Sequence, residues 1–352
     1  MRRPVAVVTG ASAGVGRATA IALASDGYDV ALLARGRAGL AAAASDVEQA
    51  GGRSLAIPTD VASFDEVDAA ATRVEQELGP IEVWINNAMT TVFSFVPDMQ
   101  PREFKRATEV TYLGQVWGTM AALQRMRPRD RGRIVNVGSS LAFVGIPLQA
   151  AYCGAKFACR GFSESVRAEL LAEGSGVTLS VVHLPAVNTP QFDWCLNKLP
   201  RQPQPVPPIY PPEVAAAAIV EATHHGRRVT LVGSWNRAVI TASKLVPSLL
   251  AHYVARTGVA GQQSAEAADR SQPPDLFIPV DNKRDHGAHG RFGARANGVV
   301  DAEFLASMPQ ALRDLAAAAQ DAAREKIAVL RDRQLRLPRS INNRTTRGEA
   351  PP

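Results

Sequence analysis

Three side chains in one short stretch are spaced for proton transfer. Residues 138–161 read GSSLAFVGIPLQAAYCGAKFACRG: Ser139 follows the β-type run 133–137, and Tyr152 and Lys156 come four residues apart. In a helix, residues i and i+4 share a face, so the phenol and the ammonium would point the same way. Free tyrosine titrates near ~10. A cation held beside it favours the phenolate and lowers that value, toward the range where a general acid or base works best. The Ser139 hydroxyl would hold the oxygen of a reacting alcohol or carbonyl. These are the parts that move a proton while a hydride leaves or arrives. Alone, Tyr-x-x-x-Lys is equally an ordinary pair on a helix surface, so the weight falls on its surroundings.

Those surroundings alternate strand-like and helix-like segments, the pattern of a parallel sheet with helices on both faces. Residues 5–8 form the first strand, ending in Thr9-Gly10, and a loop through Gly14 and Gly16 leads into a helix from Arg17 to about Ser25. Strands follow at 29–35, 54–59, 81–85, 133–137 and 177–184, with a short last one at 228–232. Between them lie an alanine-rich helix, a helix opened by the capping box Ser63/Glu66, a long helix over 101–127, and one carrying Tyr152 and Lys156 to about Glu173. Residues 185–212 are proline-dense and too long for a passive connection, so they are a candidate lid.

The glycine loop sits where a phosphate site should. Its spacing, Gly-x-x-x-Gly-x-Gly, lets the backbone approach a pyrophosphate at a helix amino terminus. The end of the second strand bears on which dinucleotide fits. A carboxylate there accepts from the ribose 2′-hydroxyl of NAD, but this chain offers Arg35, with Arg17 in the glycine turn and Arg37 just beyond. Guanidinium forks suit phosphate, so the expected ligand is the 2′-phosphate of NADP. Solvated helix-flank arginines are the plainer reading. Asp60 would accept from an adenine amino group or cap its local turn.

Taken together, these residues resemble the short-chain dehydrogenase/reductase family over roughly residues 3–256. The resemblance rests on Thr9-Gly10-x-x-x-Gly14-x-Gly16, Asp60-Val61, Asn86-Asn87-Ala88, Ser139, Tyr152-x-x-x-Lys156 and the segment from Pro185 through Thr189. It implies a doubly wound, Rossmann-like parallel sheet in which Tyr152 is the acid/base and Ser139 positions the substrate oxygen. Ser140 is the weaker alternative. Lys156 would lower the tyrosine pKa and bind the nicotinamide ribose, and Thr189 would sit by the carboxamide. Gly10, Ser12, Gly14, Val15, Gly16, Arg17, Arg35, Asp60, Val61, Asn87, Ala88, Pro185 and Val187 would complete the cofactor site. Two departures stand out: Met89 occupies the family's glycine after Asn-Asn-Ala, and Thr111 its relay asparagine. A methionine would be strained if that site needs φ > 0. Threonine keeps a hydroxyl but not the reach of an amide. The stretch 184–194 looks like a bacterial subgroup with an extended carboxyl end.

Composition sets the outer bounds. The 352 residues are 46% hydrophobic and 20% charged, enough for one α/β domain and an appendage. The net charge of +6 raises nucleic acid or an anionic surface as partners, yet no basic stripe with interleaved aromatics and no finger spacing supports it. Cys153, Cys159 and Cys195 are odd in number and lack metal spacing, which fits a reducing cytosol. The chain runs from Met1-Arg2-Arg3-Pro4 straight into a strand, which reads as structure and not as a signal peptide. The expectation is a cytoplasmic NADP(H)-dependent oxidoreductase interconverting alcohol and carbonyl, a homodimer or homotetramer by family resemblance. A lyase or epimerase, and a redox-sensing scaffold that binds dinucleotide without turnover, are the alternatives. Phe192, Trp194, Leu196, Leu199, Val206 and Ile209 in the lid candidate point to a bulky apolar substrate.

The catalytic domain is assigned to 1–256 and an extension to 257–352. Residues 234–255 are apolar and would serve as a lid, an interface or a weak membrane-surface contact, with packing the plainer reading. Asp281, Asp285, His286 and His289 invite a metal reading that too few ligands support. A helical stripe over 312–330 and a basic tail from Pro338 end the chain.

Overall fold

A computed structural model describes residues 2–299 except 270 and 272; the expected helix over 312–330 and the basic tail lie outside them. In chain order the first half runs β1 (Val5–Thr9), α1 (Gly14–Ser25), β2 (Asp29–Ala34), α2 (Arg37–Gln49), β3 (Ser54–Pro58), α3 (Phe64–Glu77), β4 (Ile81–Asn86) and a short β5 (Val92–Phe93). Then come α4 (Pro101–Thr108), α5 (Gly114–Met126), β6 (Gly132–Ser139), α6 (Ala150–Ala172) and β7 (Val177–Leu184). The third part holds β8 (Ala186–Val187), α7 (Gln191–Trp194), β9 (Leu196–Asn197), β10 (Arg201–Pro203), β11 (Ile209–Tyr210), α8 (Pro212–His225), β12 (Val229–Leu231), α9 (Ser234–Leu245), α10 (Pro247–Gly261) and β13 (Gln263–Ala267).

The central sheet is parallel, in the order β12-β7-β6-β4-β1-β2-β3. Its inner strands are apolar runs without alternation, as burial on both faces requires: every residue of β1 and β2 is buried. Val7, Leu33, Trp84 and Ile134 face one core with α3, α5 and α6, while Val8, Leu32, Ile85 and Val135 face a second with α1, α2 and α8. Strand order reverses between β1 and β4. A crevice at the carboxyl ends of such a sheet, at the reversal, is where open α/β folds bind ligands.

Local details refine the reading from sequence. Ser63 caps α3 by accepting from the Glu66 N–H at 3.3 Å, but Glu66 reaches back to the N–H of Asp60 and not to Ser63. The long helix over 101–127 is interrupted by a π-turn over Glu109–Leu113, which contains Thr111. Residues 234–255 are not one helix: Pro247 cannot continue α9 and instead starts α10. Helix α10 runs through position 256, and β13 then pairs antiparallel with β10.

Beyond β13 the chain returns over the carboxyl edge of the sheet as a strap, residues 273–299. Leu276 is buried beside Val92, Ala107 and Ala151, and Phe292 packs edge-on against Phe192 at 5.8 Å. Backbone bonds tie it down: Asp275 N–H to the Trp194 carbonyl, Gly14 N–H to that of Gly287, and Gly298 N–H to that of Ile209.

Candidate active site

Strand β6 ends at Ser139, and the first turns of α6 carry Tyr152 and Lys156 beneath it. The Ser139 side chain neighbours the Tyr152 phenol and favours its ionised form, and its Oγ accepts from the Leu141 N–H at 3.1 Å. The Lys156 ammonium donates to the Val137 carbonyl at 2.7 Å and lies 5.7 Å from the centroid of the Tyr152 ring. Here the free chain departs from expectation. Burial dominates, holding the phenol above its ordinary value in spite of Ser139, and pushing the lysine down. Lys156 gives one of its three N–H donors to a backbone carbonyl and keeps its ammonium beside the Tyr152 ring.

These groups border a cavity of about 400 Å³ that runs from the glycine loop to α9 and α10. Of the residues assigned from sequence, Gly10, Ser12, Gly14, Val15, Arg35, Asp60, Val61, Asn87, Ala88, Pro185, Val187 and Thr189 line it together with Ser139, Tyr152 and Lys156. Gly16, Arg17 and Thr111 do not border it. Gly16 serves by close approach: a Cβ there would stand 2.1 Å from the Gly10 carbonyl oxygen. Arg17 is buried between helices, paired with Asp46 at 2.7 Å and with Asp285 of the strap. Thr111 donates to the Thr90 carbonyl at 2.9 Å and accepts from the Thr90 N–H at 3.0 Å. Its hydroxyl pins the loop after β4.

The same loop takes Met89 without strain, for Asp130 and Leu148 are the non-glycine residues with positive φ among those described. Asn87 ties the loop to β1: its amide donates to the Thr9 carbonyl at 3.0 Å, while Thr9 Oγ1 accepts from the N–H groups of Asn87 and Ala88. Asp60 both caps its turn, accepting from Ala62 N–H at 3.0 Å, and pairs with Arg106 at 2.5 Å.

A dinucleotide fits this arrangement. Helix α1 begins at Gly14 with no side chain capping it; the Gly14 N–H is taken by the Gly287 carbonyl, and the N–H groups after it suit a pyrophosphate. At the other end, Trp194, Trp235, Val239, Leu250 and Tyr253 make the wall apolar. The cysteines supply no nucleophile: burial pushes the thiols of Cys153 and Cys159 up, and that of Cys195 up to about 12.

Three residues at the site were not assigned to it from the sequence. His183 on β7 lies against Gly138, where a Cβ would come within 2.4 Å of its Nδ1. Its Nδ1 meets the Ser139 carbonyl at 3.1 Å, and burial lowers its pKa to about 4. The neutral ring therefore donates to that carbonyl and fixes the end of β6. Asp275 and Asp281 of the strap also line the cavity, and Asp275 caps Arg35, Oδ2 to Nη2 at 3.0 Å. So Arg35 borders the cavity but is not free.

The family model for short chain dehydrogenases matches residues 4–195. The chain is 32% identical over 251 residues to the uncharacterized oxidoreductase YxnA of Bacillus subtilis (strain 168), covering 71% of this chain and 70% of that protein. A short chain dehydrogenase/reductase from Burkholderia phymatum, solved with NAD, shares the fold at a TM-score of 0.64 and 22% identity, over 70% of this chain and 95% of that one. A metagenomic short-chain oxidoreductase solved with NADP is 27% identical at a TM-score of 0.55, over 65% of this chain and 95% of that one.

Proposed function

The chain belongs to the short-chain dehydrogenase/reductase family, and we propose that it is an NADP(H)-dependent oxidoreductase interconverting an alcohol and a carbonyl on a bulky, largely apolar substrate. The observation that carries this is that Ser139, Tyr152 and Lys156 line one cavity together with the glycine loop.

When bound, the nicotinamide supplies or receives the hydride. The chain's own part is the proton. In reduction, Ser139 holds the carbonyl oxygen and the neutral phenol of Tyr152 gives it a proton as the C=O bond becomes C–OH. In oxidation, Tyr152 takes that proton from the alcohol. Lys156, buried and bonded to Val137, stabilises the phenolate left behind when the nicotinamide end is filled. His183 holds the Ser139 backbone in place.

Arg35, bordering the cavity at the end of β2, supports the 2′-phosphate reading. The apolar wall around Trp194, Trp235 and Tyr253 supports the substrate class. No helix among the described residues is long and apolar enough to cross a membrane, and the free cysteines accord with a cytoplasmic place. Exposed Met120 on α5 and Phe157 on α6 would be covered in a homodimer or homotetramer, and Leu245, Val246 and Leu249 offer a weak membrane-surface contact. NADPH oxidation against carbonyl compounds of rising apolar size tests the whole reading. No turnover with any of them, or turnover confined to small polar ones, would sink it.

A further inference from the structure

The strap brings acidic residues to the end of β2, where the sequence argues for an anion. Arg35 is wrapped by it: Nη2 donates to the backbone carbonyl and the carboxylate of Asp275, and Nη1 reaches the Leu276 carbonyl at 3.5 Å. Asp281 is buried at the start of α2. Its carboxylate fills the space of a missing side chain, since a Cβ on Gly36 would fall 1.7 Å from its Oδ1 and one on Gly39 would fall 2.5 Å from its Oδ2. That space lies just past the end of β2, where NAD-binding sheets of this kind carry a carboxylate that accepts from the ribose 2′-hydroxyl. The chain has Arg35 and Gly36 there and supplies the carboxylate from far along its length.

We propose that Asp275 and Asp281 are cofactor-selecting residues, weakening NADP(H) relative to NAD(H) by placing carboxylates where a ribose 2′-phosphate would approach Arg35. The inference rests on the reading that the end of β2 receives the adenosine ribose. A 2′-phosphate arriving there must displace Asp275 from Arg35 and come close to a second carboxylate. A 2′-hydroxyl meets acceptors. Asp275 is held up at about 6 by burial, with Arg35 offsetting only part of that cost, so the pair is not so favourable that phosphate cannot replace it. The strap does not depend on these two groups for its seat. Leu276, Phe292, the Asp275 N–H bond to Trp194 and the Arg106 bond to the Leu276 carbonyl at 3.1 Å hold it.

The test is fluorescence titration of the full chain with NADPH and with NADH. In Asp275→Asn/Asp281→Asn, NADPH should bind tenfold or more tighter than in the unaltered chain, with NADH unchanged or weaker. Each single variant should move the ratio part of the way, which keeps the test open if the double variant fails to fold. Asp285→Asn alters the same strap outside the cavity, at Arg17, and should leave the ratio where it was. A change under twofold in the carboxamide variants, or an equal shift in Asp285→Asn, overturns the proposal. Arg35→Ala separates the two levels. If it weakens NADPH selectively while the carboxamide variants do nothing, this inference alone has failed. If it weakens both cofactors equally, the reading of β2 beneath it has failed as well.

Discussion

His183 and Asp275 are buried in opposite senses, and their acid responses should oppose one another. His183 is held neutral: its folded pKa falls from 6.5 to about 4. In the window between those values the unfolded chain binds the extra proton, so stability is present above 6.5 and is lost as pH falls toward 4. Asp275 does the reverse. Its folded pKa rises from 3.8 to about 6, so the folded chain binds the extra proton and stability increases as pH falls through that range. At about 1.4 kcal/mol per unit, each group changes the unfolding free energy by about 2 kcal/mol between roughly pH 6.5 and 4.5, with opposite signs. Urea unfolding followed by tryptophan fluorescence at the two pH values checks this. Asp275→Asn should steepen the acid loss by about 2 kcal/mol, and His183→Gln should make it shallower by a similar amount. If both variants track the unaltered chain in parallel across the window, neither group is buried in the state assigned to it.

Three further outcomes follow from the site. Tyr152→Phe removes only the hydroxyl and should cut turnover by about 10²–10⁴-fold, with NADPH affinity within a few-fold by titration; near-normal kcat would refute the proton role. Gly138→Ala sets a Cβ 2.4 Å from His183 Nδ1, so it should lower stability by about 1–3 kcal/mol and lower kcat more than it raises KM; an unchanged kcat would mean that His183 does not position Ser139. Trp194→Ala should erase the preference for larger apolar carbonyl compounds in kcat/KM, and a size profile unaffected by it would remove Trp194 from the substrate wall.

The sheet was legible because buried parallel strands are unbroken apolar runs, and every strand of the central sheet falls within a residue or two of where those runs end. Ser139, Tyr152 and Lys156 were legible because a helix and a strand end carry their chemistry in local spacing. Other features lacked such a signal. The π-turn at Glu109–Leu113 has no composition of its own. Pro247 did mark the break between α9 and α10, but the apolar run on either side outweighed it. His183 sits inside a strand whose pattern gave no hint that Gly138 makes room for it.

The strap was illegible for a deeper reason. A helix or strand repeats its anchors at a fixed period, whereas the strap is held by isolated residues, Leu276 and Phe292, and by carboxylates whose partners lie near the start of the chain. In sequence those carboxylates fall in a stretch without helix or strand periodicity, where Asp281 and Asp285 invited only a metal reading with too few ligands. Arg35 shows what this costs an argument made from spacing. Its guanidinium and its place after β2 were both read correctly, and the inference to phosphate was chemically sound. Yet the potential at a site is the sum of every charge that reaches it, and a half-buried carboxylate 3.0 Å away changes that sum as much as replacing the arginine would. The residue type at the end of β2 therefore bounds the choice of cofactor, and the residues folded over it decide how strongly that choice is made.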